Sequence, residues 1–197
     1  MNLKDKGKES RKKLLEAAEA CFTKYGFHAS SVDMICKAAG MSKGAFYHHF
    51  TSKQELYLEM LDQWLKIIDR YIESARSDSK NVLELFRNIG EAKLLFQEAA
   101  GKLPIFIELW VRASRDEELK KITIGSYYKY LELFKSLIDE GINEGLIKKV
   151  NPDTVSRMVI AVAVGFIMQS MLDPEGTDWD RVARECPEII LKGLARL

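Results

Sequence analysis

Ser31-Val32-Asp33-Met34-Ile35-Cys36-Lys37-Ala38-Ala39-Gly40-Met41-Ser42-Lys43-Gly44-Ala45-Phe46-Tyr47-His48-His49-Phe50 is the stretch whose reading decides the chain. Val32, Ile35, Cys36 and Ala39 recur at helical spacing, and Gly40 supplies the backbone freedom that a helix exit needs. Ser42 restarts a helix as an N-cap, because its hydroxyl can accept from a free amide in the next turn. The second helix, Lys43 to Phe50, turns Phe46 and Phe50 inward and leaves Lys43, Gly44, Tyr47 and His48 outward. Two short helices about a tight turn form a helix-turn-helix, whose second helix enters the major groove of DNA by its N-terminal end.

The surroundings agree with a helical protein. The chain has 197 residues, 47% of them hydrophobic, with only 4 Pro and 12 Gly. Its apolar residues repeat at three and four rather than at two, so the predicted fold class is all-α, with about nine helices. The formal net charge of +1 conceals an asymmetry: residues 1–54 hold ten Lys or Arg against five Asp or Glu, and the remainder is acidic. A positive end suits a phosphate backbone, although Lys-rich termini are often only solvated. Cys21, Cys36 and Cys186 have no zinc spacing, and their odd number fits reduced thiols better than a disulfide framework. No metal and no cofactor are expected. An enzyme is not expected either, since there is no Gly-rich phosphate loop and no nucleophile motif. The N-terminus shows no secretory signal, and Met158 to Met168, the most apolar segment, is shorter than the roughly 20 residues a membrane crossing takes. That segment reads as a buried helix, and the protein as cytoplasmic with no membrane partner.

Outward from the motif, helix one runs from about Ser10 to Tyr25, with Leu14, Ala18, Phe22 and Tyr25 inward, and Gly26 ends it. Ser30 or Ser31 caps helix two. Ser52-Lys53-Gln54-Glu55 is a capping box in which Glu55 can reach back to the Ser52 amide. It opens a long helix four that carries Tyr57, Met60, Leu61, Trp64, Ile68 and Tyr71 into the next domain. The expected division is a helix-turn-helix domain over 1–54, continuing into the start of helix four, and a ligand-binding and dimerisation domain over 55–197. Helix five starts at Val82, and Gly101 and Pro104 break it so that Pro104 begins helix six. Helix seven carries Tyr127 to Ile142. Asn151-Pro152 opens helix eight, and the last helix contains Pro187, where a kink or a restart is expected.

The chain resembles the TetR family of bacterial transcriptional regulators over residues 10–62. The resemblance is carried by Tyr25-Gly26, Ser30-Ser31-Val32, Ala39-Gly40-Met41-Ser42, Tyr47, His49-Phe50 and Lys53-Gln54-Glu55-Leu56. Residues 63–197 match more loosely. The resemblance implies a homodimer that binds double-stranded operator DNA and is released by a small-molecule effector. It places base contacts at Lys43 and Gly44, while Tyr47 and His48 suit phosphate or sugar contacts. Ser31, Ser42 and Lys53 are further DNA candidates, with plain helix capping the other reading of the two serines. His48 and His49 diverge by about 100 degrees and so do not converge on a metal.

Met158, Val162, Gly165, Ile167, Val182, Ile189 and Leu194 are candidates for a two-fold four-helix interface, unless they only complete the monomer core. Phe86, Phe106, Trp110, Tyr127, Phe134, Phe166, Met168 and Gln169 are candidates for a pocket that takes a lipophilic or aromatic effector. Tyr128 and Phe96 belong to the same aromatic stripe, which could equally be core. Glu108 and Arg112, with Gln169, would orient a polar group. The switch expected is effector against helices six and seven, a shift of helix four, and separation of the two recognition helices from their groove spacing. A helical carrier of hydrophobic compounds without DNA binding is the alternative function.

Overall fold

The computed structural model describes residues 3–90 and 93–195, with side chains at 5–90, 102 and 104–195; the side chain of Phe96 lies outside the described residues. Nine α-helices and no strand occur among the described residues. The chain divides into two compact units, one made of the stretch ending at Ile68 together with Pro104–Leu109, the other of Asp69–Leu103 and Trp110–Leu197. The division between these units falls after Ile68, within the helix that starts at Lys53, and the chain returns to the first unit for the six residues Pro104–Leu109.

In the first unit, α1 (Leu3–Ala29) starts earlier than its apolar periodicity suggests and is broken at Gly26, where φ is 78° and ψ 165°. A side chain would be strained at that φ, which is why glycine stands there. α2 (Val32–Ala39) is capped by Ser31, whose hydroxyl accepts from the Met34 amide at 3.1 Å. Its exit is a Schellman turn: Gly40 at φ 64° donates to the Lys37 carbonyl, and Met41 donates to that of Cys36 at 2.9 Å. α3 (Lys43–His49) is capped by Ser42, which accepts from the Ala45 amide at 3.1 Å.

α4 (Lys53–Ser77) begins behind Ser52, which accepts from the Glu55 amide. The reciprocal half of the expected box is displaced by one residue. Glu55 Oε2 accepts from both the amide and the hydroxyl of Thr51 at 2.6 Å, because the threonine offers two donors side by side. These bonds hold the Glu55 carboxyl below its ordinary pKa.

The core of this unit contains Leu14, Phe22, Ile35, Phe46, Phe50, Leu56 and Tyr57, all fully or almost fully buried. Burial of each such side chain stabilises by about 1.5–3 kcal/mol. Tyr25 departs from its inward expectation. It is 46% exposed, with the Lys24 ammonium 5.0 Å from its ring, since the break at Gly26 removes the next turn on which it would have packed.

α6 (Lys93–Ala113) runs through Pro104, so the expected break there does not occur. An interior proline costs about 3 kcal/mol, and the residues just after it are anchored three times. The Tyr57 hydroxyl donates to the Ile105 carbonyl at 2.5 Å, the Phe106 ring meets Trp64 at 4.3 Å between centroids, and Glu108 Oε2 accepts from the Phe27 amide at 2.8 Å.

In the second unit, α5 (Val82–Gly90) and the end of α7 (Glu117–Asn143) supply Val82, Leu85, Phe86, Leu137 and Ile138 to a core shared with Val155, Leu191 and Leu194. Gly141 of α7 lets this core close. A Cβ there would lie 2.5 Å from Ile147 Cδ1 and 2.7 Å from Val82 Cγ1. α8 (Pro152–Leu172) opens as expected, with Asn151 accepting from the Thr154 amide and Pro152 in the first turn.

α9 (Trp179–Leu194) passes through Pro187 without restarting. Gly90 of α5 lies against that pyrrolidine ring, where a Cβ would collide with it, so tertiary packing accommodates the proline that the local rule would exclude.

α8 is not the buried helix that its composition suggests. It is long and apolar enough to cross a membrane by length and composition, yet only 17% of its most apolar window is buried, and only Val155 and Ser156 are buried outright.

Candidate nucleic-acid interface and effector cavity

α3 is pinned from one side. Phe46 is fully buried and packs against Phe50 at 5.8 Å, which leaves the opposite face to solvent. Ser42, Lys43, Gly44, Tyr47 and His48 are all exposed on it, as is Ser31 at the start of α2. Tyr47 is 56% exposed and stands edge-on to Phe46.

Lys43 reaches back to Asp33 of α2 at 2.7 Å, both side chains largely in water. A pair of that kind is worth about 1 kcal/mol or less, so the ammonium can exchange partners at small cost. The Ser31 and Ser42 hydroxyls accept from their own helices and keep an O–H to donate outward; capping and phosphate contact are compatible in both.

Lys53 is placed differently from the other six candidates. Its ammonium donates to the Phe27 and Ser30 carbonyls at 2.6 Å each and lies 4.2 Å from the Phe27 ring centroid. It closes the broken end of α1 onto α4 from within the protein.

Arg11, which sequence reasoning missed, fixes the other end of the recognition helix. Its Nε donates to Glu59 Oε1 at 2.8 Å, its Nη1 to the His49 carbonyl at 2.8 Å, and its guanidinium lies 4.4 Å from the Phe50 ring. The partners stand 38 and 48 residues away, so no local signal marks it. His49 is half-buried beside this pair, and its pKa is lowered by burial first and then by the neighbouring His48 and Arg11. No cluster of three or more metal-ligating side chains occurs among the described residues.

In the second unit, a cavity of about 120 Å³ opens between α5, α7, α8 and α9. Of the eight pocket candidates, Phe86, Phe134 and Phe166 line it. Phe106 belongs to the first unit, against Trp64. Trp110 and Met168 are each 40% exposed, and the Tyr127 hydroxyl accepts from Arg157 at 2.9 Å. Gln169 is exposed and donates to the Gly165 carbonyl of its own helix. Glu108 is engaged with Phe27, and Arg112 is not among the lining residues. A helical stripe does not tell which of its members face a gap.

The interface candidates also separate. Met158 and Ile189 are 40% and 69% exposed, whereas Gly165, Ile167 and Val182 are half-buried. Val162 and Leu194 both line the cavity, and Leu194 also belongs to the buried core of this unit.

A recognition helix presented on an all-helical first unit, in a chain whose second helical unit holds an apolar cavity, defines a DNA-binding regulator. Residues 14–60 match the family described as bacterial regulatory proteins, tetR family, and residues 89–195 match the BetI-type transcriptional repressor C-terminal family. The HTH-type transcriptional regulator YhgD of Bacillus subtilis is 24% identical over 95% of this chain and 97% of its own length. Among solved structures, the ketosteroid transcriptional regulator KstR2 of Mycobacterium tuberculosis is 23% identical, covers 95% of each chain and superposes with a TM-score of 0.75. The fatty acid degradation regulator FadR of Bacillus halodurans is 21% identical over 93% of this chain and 95% of its own, with a TM-score of 0.76. The chain belongs to the TetR family of helix-turn-helix transcriptional regulators.

Proposed function

We propose that the protein is a cytoplasmic homodimeric repressor that occupies a near-palindromic operator and leaves it when a lipophilic or aromatic effector enters the second unit. The observation that carries the DNA part is the exposed N-terminal face of α3, with Lys43, Gly44, Tyr47 and His48 held outward by the burial of Phe46 and Phe50. Lys43 donates to guanine O6 or N7, and Gly44 allows close backbone approach. Tyr47 and His48 donate to phosphate or sugar, joined by the Ser31 and Ser42 hydroxyls, and fix register.

One helix of seven residues makes too few contacts for genomic specificity, so two copies read two half-sites. The apolar, mostly unburied α8 supports this pairing, with Met158 and Ile189 on the joint and Gly165, Ile167 and Val182 beside them. α4 and α6 each run without a break from one unit into the other, which gives effector binding a path to the reader. Coupling of about 1–3 kcal/mol would change operator affinity about 5- to 150-fold. Solved relatives named for ketosteroid and fatty acid degradation regulation are in keeping with a lipophilic effector.

The test is fluorescence anisotropy on the DNA fragment just upstream of the chain's own gene, over a salt series. Saturable binding that weakens steeply with salt is expected, with a loss of about 1–3 kcal/mol in Lys43→Ala through its base contact. Tyr47→Ala weakens binding across sequences alike. Salt-insensitive binding, or variants that bind as the parent does, would refute the placement of α3 in the groove.

A further inference from the structure

The cavity of the second unit carries a more specific statement than a lipophilic pocket. Among the described residues fourteen line it, and none of these side chains contains an oxygen or a nitrogen; the one polar hydrogen they carry is the Cys186 thiol. At about 120 Å³ it is close to the apolar cavity of about 150 Å³ known to take up benzene, and well below the 300–1,000 Å³ usual for drug-sized ligands. A water molecule needs two to four hydrogen-bonding partners, which these side chains do not offer. A carboxylate or ammonium would be desolvated without an opposite charge. Phe86 and Phe134 are stacked at 6.2 Å, and Phe166 adds a third ring, so the walls offer aromatic faces and edges.

From these observations we infer that the cavity between α5, α7, α8 and α9 is a binding site for an uncharged, single-ring aromatic or similarly small hydrocarbon, in contact with the Cys186 thiol. The inference rests on the reading that an effector enters the second unit, and it adds the size and the charge of that effector. An uncharged single ring matches this space in size and polarity better than a long acyl chain, a fused-ring compound or an ionised aromatic does. The site also shares helices α8 and α9 with the proposed dimer joint, since Val162 and Ala163 line it while Met158 and Ile189 stand in solvent.

The test uses the full chain and toluene as probe, with benzoate as the ionised counterpart and naphthalene as the larger one. Alkylation of Cys186 by iodoacetamide is followed by mass spectrometry, with the buried Cys21 and Cys36 as internal references. Toluene at its dissociation constant should slow Cys186 alkylation about twofold and raise the melting temperature, while benzoate changes neither. Cys186→Phe, which fills the cavity, should abolish the toluene-induced rise in melting temperature. Should that variant fail to fold, the alkylation of the parent chain decides alone.

Absence of protection by toluene overturns the site, as does a Cys186 already inaccessible in the dimer because a partner's side chain occupies the gap. Equal protection by benzoate overturns the charge rule, and stronger protection by naphthalene the size rule. Protection by toluene with unchanged operator affinity upholds the site and refutes the effector reading instead.

Discussion

Replacing Lys53 with Met separates two roles that a lysine at the head of α4 can have. The substitution keeps most of the aliphatic stem and removes the ammonium that bonds the Phe27 and Ser30 carbonyls and faces the Phe27 ring. Hydrogen bonds to charged groups contribute about 1.5–3 kcal/mol each, and a partly exposed cation–π contact about 0.5–1 kcal/mol. Solvent can reach this half-buried site and rehydrate the carbonyls, so the net loss is about 2 kcal/mol. For a chain of this size that corresponds to a fall in melting temperature of about 4–8 °C.

The companion measurement is the slope of log operator affinity against log salt. An ammonium bonded within the protein neutralises no phosphate, so the slope should stay as it is in the parent. A phosphate-bound Lys53 would instead give an unchanged melting temperature and a slope smaller by about 0.9. That pair of results would refute the internal clamp and restore the DNA contact.

Three further outcomes are expected. Gly141→Ala forces a methyl group to within 2.5 Å of Ile147 Cδ1, so overpacking should cost about 1–3 kcal/mol in urea unfolding despite the better helix propensity of alanine; a midpoint that holds or rises would show that α7 and Ile147 can separate. His49 has a native pKa below the ordinary value of about 6.5, so the unfolded chain binds its proton first. Its contribution to stability is complete above pH 6.5 and is lost as the pH falls from there through the native pKa, and His49→Gln should reduce the difference in unfolding midpoint between pH 7 and pH 5. Met158→Glu combined with Ile189→Glu puts charge on the exposed apolar faces of α8 and α9 and should yield monomers in sedimentation with weaker operator binding; a persistent dimer would move the interface elsewhere.

What was legible in the sequence is what neighbours within a few residues determine. Ser31, Ser42 and Asn151 cap helices because a hydroxyl or amide three residues ahead of an N–H needs no distant partner. The Gly40 turn and the inward Phe46 are local in the same sense. The continuity of α6 through Pro104 and the lack of a restart at Pro187 are not local, because their compensation comes from Tyr57, Trp64 and Phe27 in one case and the close packing of Gly90 in the other, each far along the chain. Lys53 and Arg11 belong to the same class, since each takes its role from carbonyls or carboxylates more than 20 residues away. The aromatic stripe showed that rings were plentiful, but only the packing of α5, α7, α8 and α9 selects Phe86, Phe134 and Phe166 for the cavity and leaves Trp110 and Met168 partly exposed.

The return of Pro104–Leu109 to the first unit has a practical corollary for anyone cutting or recombining this protein. A fragment ending at Ile68 would leave the Tyr57 hydroxyl, the Trp64 ring and the Phe27 amide facing a gap where Ile105, Phe106 and Glu108 belong. Hybrids with a foreign sensor half must therefore carry those six residues along with the reader, and a truncated reader that fails to fold says nothing about its grip on DNA.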